Sequence, residues 1–181
     1  PGHIIVIDNA SPDDTVAQLN AKRPEIEVIR MPANLGPGGA IAAGLRRAIE
    51  RGFDLAWLVE DDTTYSQTYL KQALDILKGR PTLGMLGARG FRFSRGALYP
   101  LRLDIDVDDT ANPLLDGAVL RLDVAATHGT PVEDFFTMMT DIEYPIRLRD
   151  AGIHVAVSRL LTTAPLALGA TDNTQWKFRA Y

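Results

Sequence analysis

Short hydrophobic runs alternate along the chain with stretches whose apolar residues recur at helical spacing. Runs of this length are typical of strands buried on both faces of a sheet. They predict strands at residues 3–7, 27–31, 55–59, 83–88, 118–122 and 153–157. The amphipathic stretches predict helices at residues 13–21, 39–51, 66–77 and 141–151. Between these elements, residues 89–113 are expected to be irregular or hairpin-like.

This alternation of strands and helices indicates an α/β fold, in which three layers (α/β/α) enclose a mostly parallel central sheet. Right-handed crossovers place ligand sites at the carboxyl ends of parallel strands. Two polar groups follow predicted strands directly: Asp8 with Asn9, and the acidic triplet, residues 60–62 (Glu-Asp-Asp). The sequence therefore predicts a functional site at this edge of the sheet.

The composition is that of a single soluble globular domain. The 181 residues are 46% hydrophobic and 23% charged and include no cysteine, which excludes disulfides and thiolate metal sites. The net charge of −4 provides no general attraction to nucleic acid. No apolar run reaches the roughly 18–20 residues that span a bilayer. We therefore expect a cytoplasmic protein with no transmembrane segment and no nucleic-acid partner.

The acidic triplet places three carboxylates side by side after an apolar strand. A bound cation would relieve their mutual repulsion. Carboxylate oxygens suit Mg²⁺ or Mn²⁺, and a metal of this type usually also holds substrate phosphates. The alternative is a solvated acidic loop before helix 66–77, whose N-terminus favours negative charge. The position at the carboxyl end of a strand favours the metal site.

Residues 34–40 (Asn-Leu-Gly-Pro-Gly-Gly-Ala) lead into a predicted helix. Glycines let the backbone approach a ligand closely, and a helix N-terminus offers free N–H groups to an anion. The spacing matches neither the dinucleotide fingerprint nor the P-loop. The alternative is a plain turn in which glycine supplies a positive φ.

Asp141 lies at the start of the last predicted helix, where backbone donors stabilise a carboxylate. An aspartate at the mouth of a site can take a proton from an incoming hydroxyl group. Glu143 and Arg147 are four residues apart and can pair on one helix face. The alternative is an N-terminal capping residue followed by a surface ion pair that contributes well under about 1 kcal/mol.

Four segments, in this order, resemble the motifs of family 2 glycosyltransferases with the GT-A fold. They are residues 8–11 (Asp-Asn-Ala-Ser), 34–40, 57–62 (Trp-Leu-Val-Glu-Asp-Asp) and 134–152, which begins Asp-Phe-Phe and ends Ala-Gly. The similarity runs from about residue 3 to residue 157 and is closest to the galactofuranosyl- and rhamnosyltransferase-like branch. Each motif is weak alone, whereas four in the right order are specific.

The resemblance implies inverting transfer of a hexose from a UDP- or dTDP-linked sugar to an acceptor hydroxyl, in cell-wall or surface polysaccharide synthesis. It implies that Asp62 binds Mn²⁺ or Mg²⁺, and that Asp141 deprotonates a carbohydrate or lipid-linked acceptor, in the cytoplasm or at the inner face of the membrane. The residues implied in nucleotide-sugar binding are Asp8, Asn9, Asn34, Gly38, Gly39, Glu60 and Asp61. The acceptor side would comprise Asp116, Gly117, Glu143 and Arg147.

The sequence departs from the family pattern in three ways. The family normally has a strand and helix before residue 3, so we expect residues 1–181 to be one GT-A domain that lacks these elements and a C-terminal extension. Glu60 replaces the usual aspartate, and no histidine follows His154 as a further metal ligand. Two alternatives remain open: a nucleotidyltransferase with the same sheet and metal site, and a non-catalytic nucleotide-sugar-binding module.

Overall fold

The computed structural model describes residues 2–94, 97–100, 105–136 and 139–165. The helices are α1 (Thr15–Lys22), α2 (Gly36–Glu50), α3 (Tyr69–Gly79), α4 (Leu122–His128) and α5 (Thr140–Asp150). The strands are β1 (Ile5–Asp8), β2 (Glu27–Arg30), β3 (Leu55–Trp57), β4 (Thr63–Tyr65), β5 (Leu83–Gly87), β6 (Gly90–Ser94), β7 (Ala97–Pro100), β8 (Val107–Asp108), β9 (Asn112–Pro113), β10 (Val119–Arg121), β11 (His154–Ser158) and β12 (Thr163–Pro165). Each strand and helix predicted within these residues is present.

The central sheet is mixed rather than mostly parallel. Its strand order is β3-β10-β5-β11-β8. Among the described strands of this sheet, only β5 and β11 pair in parallel, whereas β10 is antiparallel to β3 and β5, and β8 is antiparallel to β11. A hydrophobic run shows that a strand is buried but does not show its direction, so β10 could not be distinguished from its neighbours by pattern alone.

Three smaller sheets accompany the central one. Strands β1 and β2 pair in parallel, and β4 pairs antiparallel with β12. Strand β6 pairs antiparallel with both β7 and β9, so the region expected to be irregular or hairpin-like contains a hairpin. The β4–β12 pair was not predicted. It anchors the chain immediately after the acidic triplet.

Two hydrophobic clusters cover the two faces of the central sheet. Neighbouring residues of a strand point to opposite faces, so Met85 belongs to one cluster and Leu86 to the other. The first cluster receives buried side chains from α2, α4 and α5, including Leu45 and Leu148. The second receives Tyr69, Ala73 and Leu77 from α3. Helices therefore pack on both faces, and the loops at the strand ends meet along one edge.

Candidate active site

Asp116 is the centre of the polar contacts at the edge of the central sheet where the loops at the strand ends meet. Its buried carboxylate accepts hydrogen bonds from Thr63 Oγ1 at 2.8 Å, from the Tyr65 hydroxyl group and from Arg89 Nη2 at 2.5 Å. The backbone N–H of Glu60 also points to it at 3.4 Å. Because Thr63 and Tyr65 belong to β4, these contacts fix both ends of the acidic triplet to the segment before β10.

Asp141 lies beside this centre, partly buried in the first turn of α5. Its Oδ1 accepts a hydrogen bond from the backbone N–H of Leu115 at 2.8 Å. Burial raises the pKa of Asp141 above its usual range, the Leu115 hydrogen bond lowers it, the charge of Asp116 raises it, and the charge of Arg89 lowers it. A carboxylate with raised proton affinity, held by its neighbour's backbone, is suited to act as a general base.

Glu60 belongs to the same group of carboxylates. Desolvation raises its pKa to about 7, and repulsion from Asp116, Asp141 and Asp62 acts in the same direction. The charge of Arg89 opposes this shift. Residues that are distant in sequence therefore interact electrostatically here, and the surplus of negative charge favours a cation.

The acidic triplet fits a metal that takes most of its ligands from outside the protein. Asp61 and Asp62 are exposed. Among the described residues, no three histidine, cysteine, aspartate or glutamate side chains form a group that could hold a metal ion. Mg²⁺ typically binds through one or two carboxylates together with water and substrate phosphates, rather than in a cage made by the protein. Asp62 could serve as such a ligand within the negative field described above.

Position 117 requires glycine for structural reasons. Its φ is +81°, and a Cβ atom there would lie 2.7 Å from the Tyr69 hydroxyl oxygen. That hydroxyl donates a hydrogen bond to the Gly117 carbonyl oxygen at 2.6 Å, and Tyr69 stacks on Trp57. The absence of a side chain thus allows the segment before β10 to lie against the aromatic residues of β3 and α3.

Asp8 ends β1 with an incompletely satisfied carboxylate. Its side chain is 1% exposed, and its Oδ1 accepts a hydrogen bond from the Ser11 N–H at 3.2 Å. Its Oδ2 is buried without a hydrogen-bond partner, since Arg30 Nε lies 3.7 Å away. Because this oxygen is buried and lies beside the Arg30 guanidinium, contact of Asp8 with a nucleotide stays a prediction.

The two predicted asparagines bind the loop that precedes α2. The Asn9 amide donates to the Gly36 carbonyl oxygen and accepts from the Leu35 N–H, both at 3.0 Å. Asn34 Oδ1 accepts from the Gly36 N–H at 2.9 Å. These amides therefore shape the loop, and direct contact of either with a nucleotide stays a prediction.

Gly38 and Gly39 are buried at the start of α2, which begins three residues earlier than predicted. A Cβ atom at Gly38 would lie 2.7 Å from the Val132 carbonyl oxygen, and one at Gly39 would lie 2.5 Å from Leu35 Cβ. The close approach that these glycines permit is thus packing against other residues of the same chain. Their predicted contact with a nucleotide stays a prediction.

Glu143 and Arg147 pair as their spacing predicts, and both make further contacts within the protein. Arg147 Nε donates to Glu143, while its Nη1 and Nη2 donate to the carbonyl oxygens of His128 and Thr130 at 2.7 and 2.8 Å. The guanidinium also lies over the Tyr144 ring. These contacts hold the loop after α4 against α5, the helix that carries Asp141. Binding of the acceptor by this pair stays a prediction.

Comparison with known proteins assigns the family. The profile described as glycosyl transferase family 2 matches residues 2–140. The chain belongs to glycosyl transferase family 2. An undecaprenyl-phosphate mannosyltransferase from Micrococcus luteus is 31% identical over 78 residues, which are 41% of this chain and 32% of that protein. The family 2 match ends immediately before Asp141, so a role for that residue as a base stays a prediction.

Solved structures show the same GT-A fold. S. aureus TarS, residues 1–349, matches with a TM-score of 0.64 and 15% identity over 86% of this chain and 48% of that chain. GalNAc-T7, solved with UDP, GalNAc and Mn²⁺, matches with a TM-score of 0.68 and 8% identity over 91% of this chain and 38% of that chain. The family 2 chain described here therefore spans less than half of the length of either structure.

Three site residues were missed by sequence reasoning: Thr63, Tyr65 and Arg89. They reach Asp116 across separations of 53, 51 and 27 residues. None belongs to a recognisable motif, so only the folded chain identifies them.

Within the described residues, no helix combines the length and the apolar character needed to cross a bilayer.

Proposed function

We propose that this protein is an inverting glycosyltransferase that transfers a hexose from a UDP- or dTDP-linked donor to an acceptor hydroxyl. The observation that carries the proposal is the juxtaposition of Asp141 with the acidic triplet through one segment, residues 115–117. This juxtaposition supports a proposed proton acceptor and a proposed metal-binding loop on the same edge of the sheet, as transfer between two bound substrates requires.

The donor is held, in this proposal, between the end of β1 and the acidic triplet. Asp8 contacts the nucleobase or ribose, and the loop at residues 34–39 with Glu60 and Asp61 lines the rest of the nucleotide site. Asp62 holds Mn²⁺ or Mg²⁺. When bound, the ion neutralises charge that develops on the nucleoside diphosphate leaving group.

Asp141 is the proposed base. Its carboxylate removes the proton from the acceptor hydroxyl as the oxygen attacks the anomeric carbon from the face opposite the leaving group, which inverts the configuration. Asp116, Gly117, Glu143 and Arg147 form or support the acceptor side. Asp141 must be ionised for this step, so its raised pKa places the acid limb of the rate profile above the usual range of aspartate.

A lipid-linked or carbohydrate acceptor in cell-wall or surface polysaccharide synthesis fits this reaction. The name of the Micrococcus luteus relative includes an undecaprenyl phosphate, and TarS has been solved with UDP and with UDP-GlcNAc. We extend the proposal to donors of the galactofuranosyl- and rhamnosyltransferase-like branch and to a protein working at the cytoplasmic face of the membrane. A panel of UDP- and dTDP-sugars tests the nucleotide and the sugar separately.

Two variants test the two halves of the site. Asp62→Asn removes the proposed metal ligand and is expected to weaken Mn²⁺-dependent binding of UDP or dTDP at least tenfold, as measured by calorimetry. Asp141→Asn keeps the hydrogen-bond acceptor for Leu115 and is expected to leave that binding within about twofold, while transfer falls by 10²–10⁴-fold, the typical contribution of a general base.

Asp75→Asn is the matched control, because Asp75 pairs with Lys71 on the exposed face of α3. It is expected to change neither measurement. Unchanged nucleotide affinity in Asp62→Asn would refute the metal site, and normal turnover in Asp141→Asn would remove Asp141 as the base. Binding without turnover in the unmodified protein would instead indicate a binding module.

A further inference from the structure

The segment at residues 115–117 makes a separate contact from each of its three residues. The Leu115 N–H donates to Asp141 at 2.8 Å, Asp116 accepts from Thr63 and Tyr65 of β4, and the Gly117 N–H donates to the Leu58 carbonyl oxygen at 2.9 Å. These contacts join the start of α5 to both ends of the acidic triplet. The proposed base and the proposed donor site are therefore held by one short piece of backbone.

Arg89 fixes this segment from the other side. Its Nη2 lies 2.5 Å from Asp116 Oδ2, and its backbone carbonyl oxygen accepts a hydrogen bond from the Leu114 N–H at 2.9 Å. The guanidinium is half-exposed, whereas the Asp116 side chain is 7% exposed. A buried carboxylate that lost this cation would keep its charge without full compensation, which is strongly unfavourable.

We propose that Arg89 and Asp116 act together as a positioning pair that sets both the place and the electrostatic environment of Asp141. The proposal rests on the proposed function, because it takes Asp141 to be the base. Neither residue is required to touch a substrate. Asp116 orients the Leu115 N–H toward Asp141, and Arg89 balances the charge of Asp116.

The charges that face Asp141 make the pair testable. They are Asp116 before β10, Arg89 after β5 and Glu60 after β3. Asp116 raises the pKa of Asp141 and Arg89 lowers it. Removing one charge or the other should therefore shift the titration of Asp141 in opposite directions, which a purely structural role would not do.

The experiment compares Arg89→Gln and Asp116→Asn with the unmodified protein. Arg89→Gln removes a positive charge and is expected to move the acid limb of the kcat profile to higher pH. Asp116→Asn removes a negative charge and is expected to move it to lower pH. Each shift should be about 0.5–1 pH unit, as is typical when one neighbouring charge is removed from a partly solvated site. Arg89→Lys keeps the charge and should restore the limb.

Arg92→Gln is the matched control. Arg92 forms an equivalent ion pair with Asp108, also at 2.5 Å, with side-chain exposures of 51% and 2% compared with 50% and 7% for Arg89 and Asp116. This variant should lose similar stability and leave the acid limb in place. If all three variants behave alike, or if Arg89→Gln and Asp116→Asn shift the limb in the same direction, the positioning pair is refuted.

A second measurement separates this proposal from the proposed function. Carboxyl ¹³C NMR follows the titration of Asp141 in each variant without any substrate. Opposite shifts in an inactive protein would support the pair and contradict the glycosyltransferase mechanism. An active enzyme in which neither variant shifts the Asp141 signal would retain the mechanism and overturn the pair.

Discussion

Ala10 shows how a single residue bears strain at the site. It has a φ of +64° and lies between Asp8 and Ser11, in the loop fixed by Asn9. A side chain with this conformation costs roughly 1–2 kcal/mol compared with a right-handed backbone. The strain persists because the residues on either side of Ala10 are fixed: the Asn9 side chain donates to the Gly36 carbonyl oxygen, and Arg30 Nη2 donates to the Ser11 carbonyl oxygen.

We expect Ala10→Gly to increase the free energy of unfolding by about 0.5–1 kcal/mol, because glycine adopts a positive φ without steric cost but has a more flexible unfolded state. Ala21→Gly, at an exposed position within α1, is the control and should lower stability by about the same amount. Urea unfolding measures both. A loss of stability in Ala10→Gly equal to that of the control would show that the backbone at Ala10 is unstrained.

At the level of elements, the start of α2 depends on close packing against the loop before α5. Gly38 approaches the carbonyl oxygens of Val132 and Phe135 closely enough that an added Cβ would lie 2.7 and 2.9 Å from them. These contacts bring the glycine-rich loop and the helix that carries Asp141 together. The glycines therefore position the two halves of the site relative to each other.

We expect Gly38→Ala to lower the free energy of unfolding by about 1–3 kcal/mol, the usual cost of overpacking. Gly79→Ala is the matched control, because Gly79 lies at the end of α3 and a Cβ atom there would have no neighbour within 4 Å. The control should gain up to about 1 kcal/mol from helix propensity. Thermal unfolding distinguishes the two, and equal stability of both variants would contradict the packing role.

At the scale of the whole molecule, Arg149 joins elements that are distant along the chain. From α5 it donates to Asn112 Oδ1 of β9 and to the carbonyl oxygens of Asp109, Ala111 and Val155, at distances between 2.5 and 3.1 Å. Burial lowers the pKa of this guanidinium, and the charges of Asp108, Asp109 and Asp150 oppose that shift. The central sheet and α5 are thereby fixed to one another.

Removing this connection should destabilise the entire fold. We expect Arg149→Met to lower the free energy of unfolding by about 2–4 kcal/mol, since it leaves acceptors unpaired in a partly buried place. Arg159→Met breaks a surface pair with Asp106, whose side chains are both more than half exposed, and should cost under about 1 kcal/mol. Denaturant titration compares them, and a similar small effect for both would contradict the role of Arg149.

Much of the fold followed from periodicity alone. Hydrophobic runs identify the strands of the α/β core, and apolar residues at helical spacing identify its helices. Strand direction and the β4–β12 pair did not follow, because direction depends on how the chain crosses over and β4, Thr-Thr-Tyr, contains no run of aliphatic residues. Because apolar runs do not show strand direction, the sheet was expected to be mostly parallel, whereas it is mixed.

For the candidate site, too, the sequence identified local features and the tertiary structure identified the contacts between them. The amino-acid sequence by itself determined the chemistry: carboxylates after a buried strand, a glycine-rich loop before a helix, and an aspartate at the start of α5. These are properties of adjacent residues. Only the tertiary structure decided that Asp116 connects them, that Arg89 balances its charge and that the pKa of Asp141 is raised. Desolvation and coulombic interaction depend on distance in space, and these residues are distant from one another along the chain.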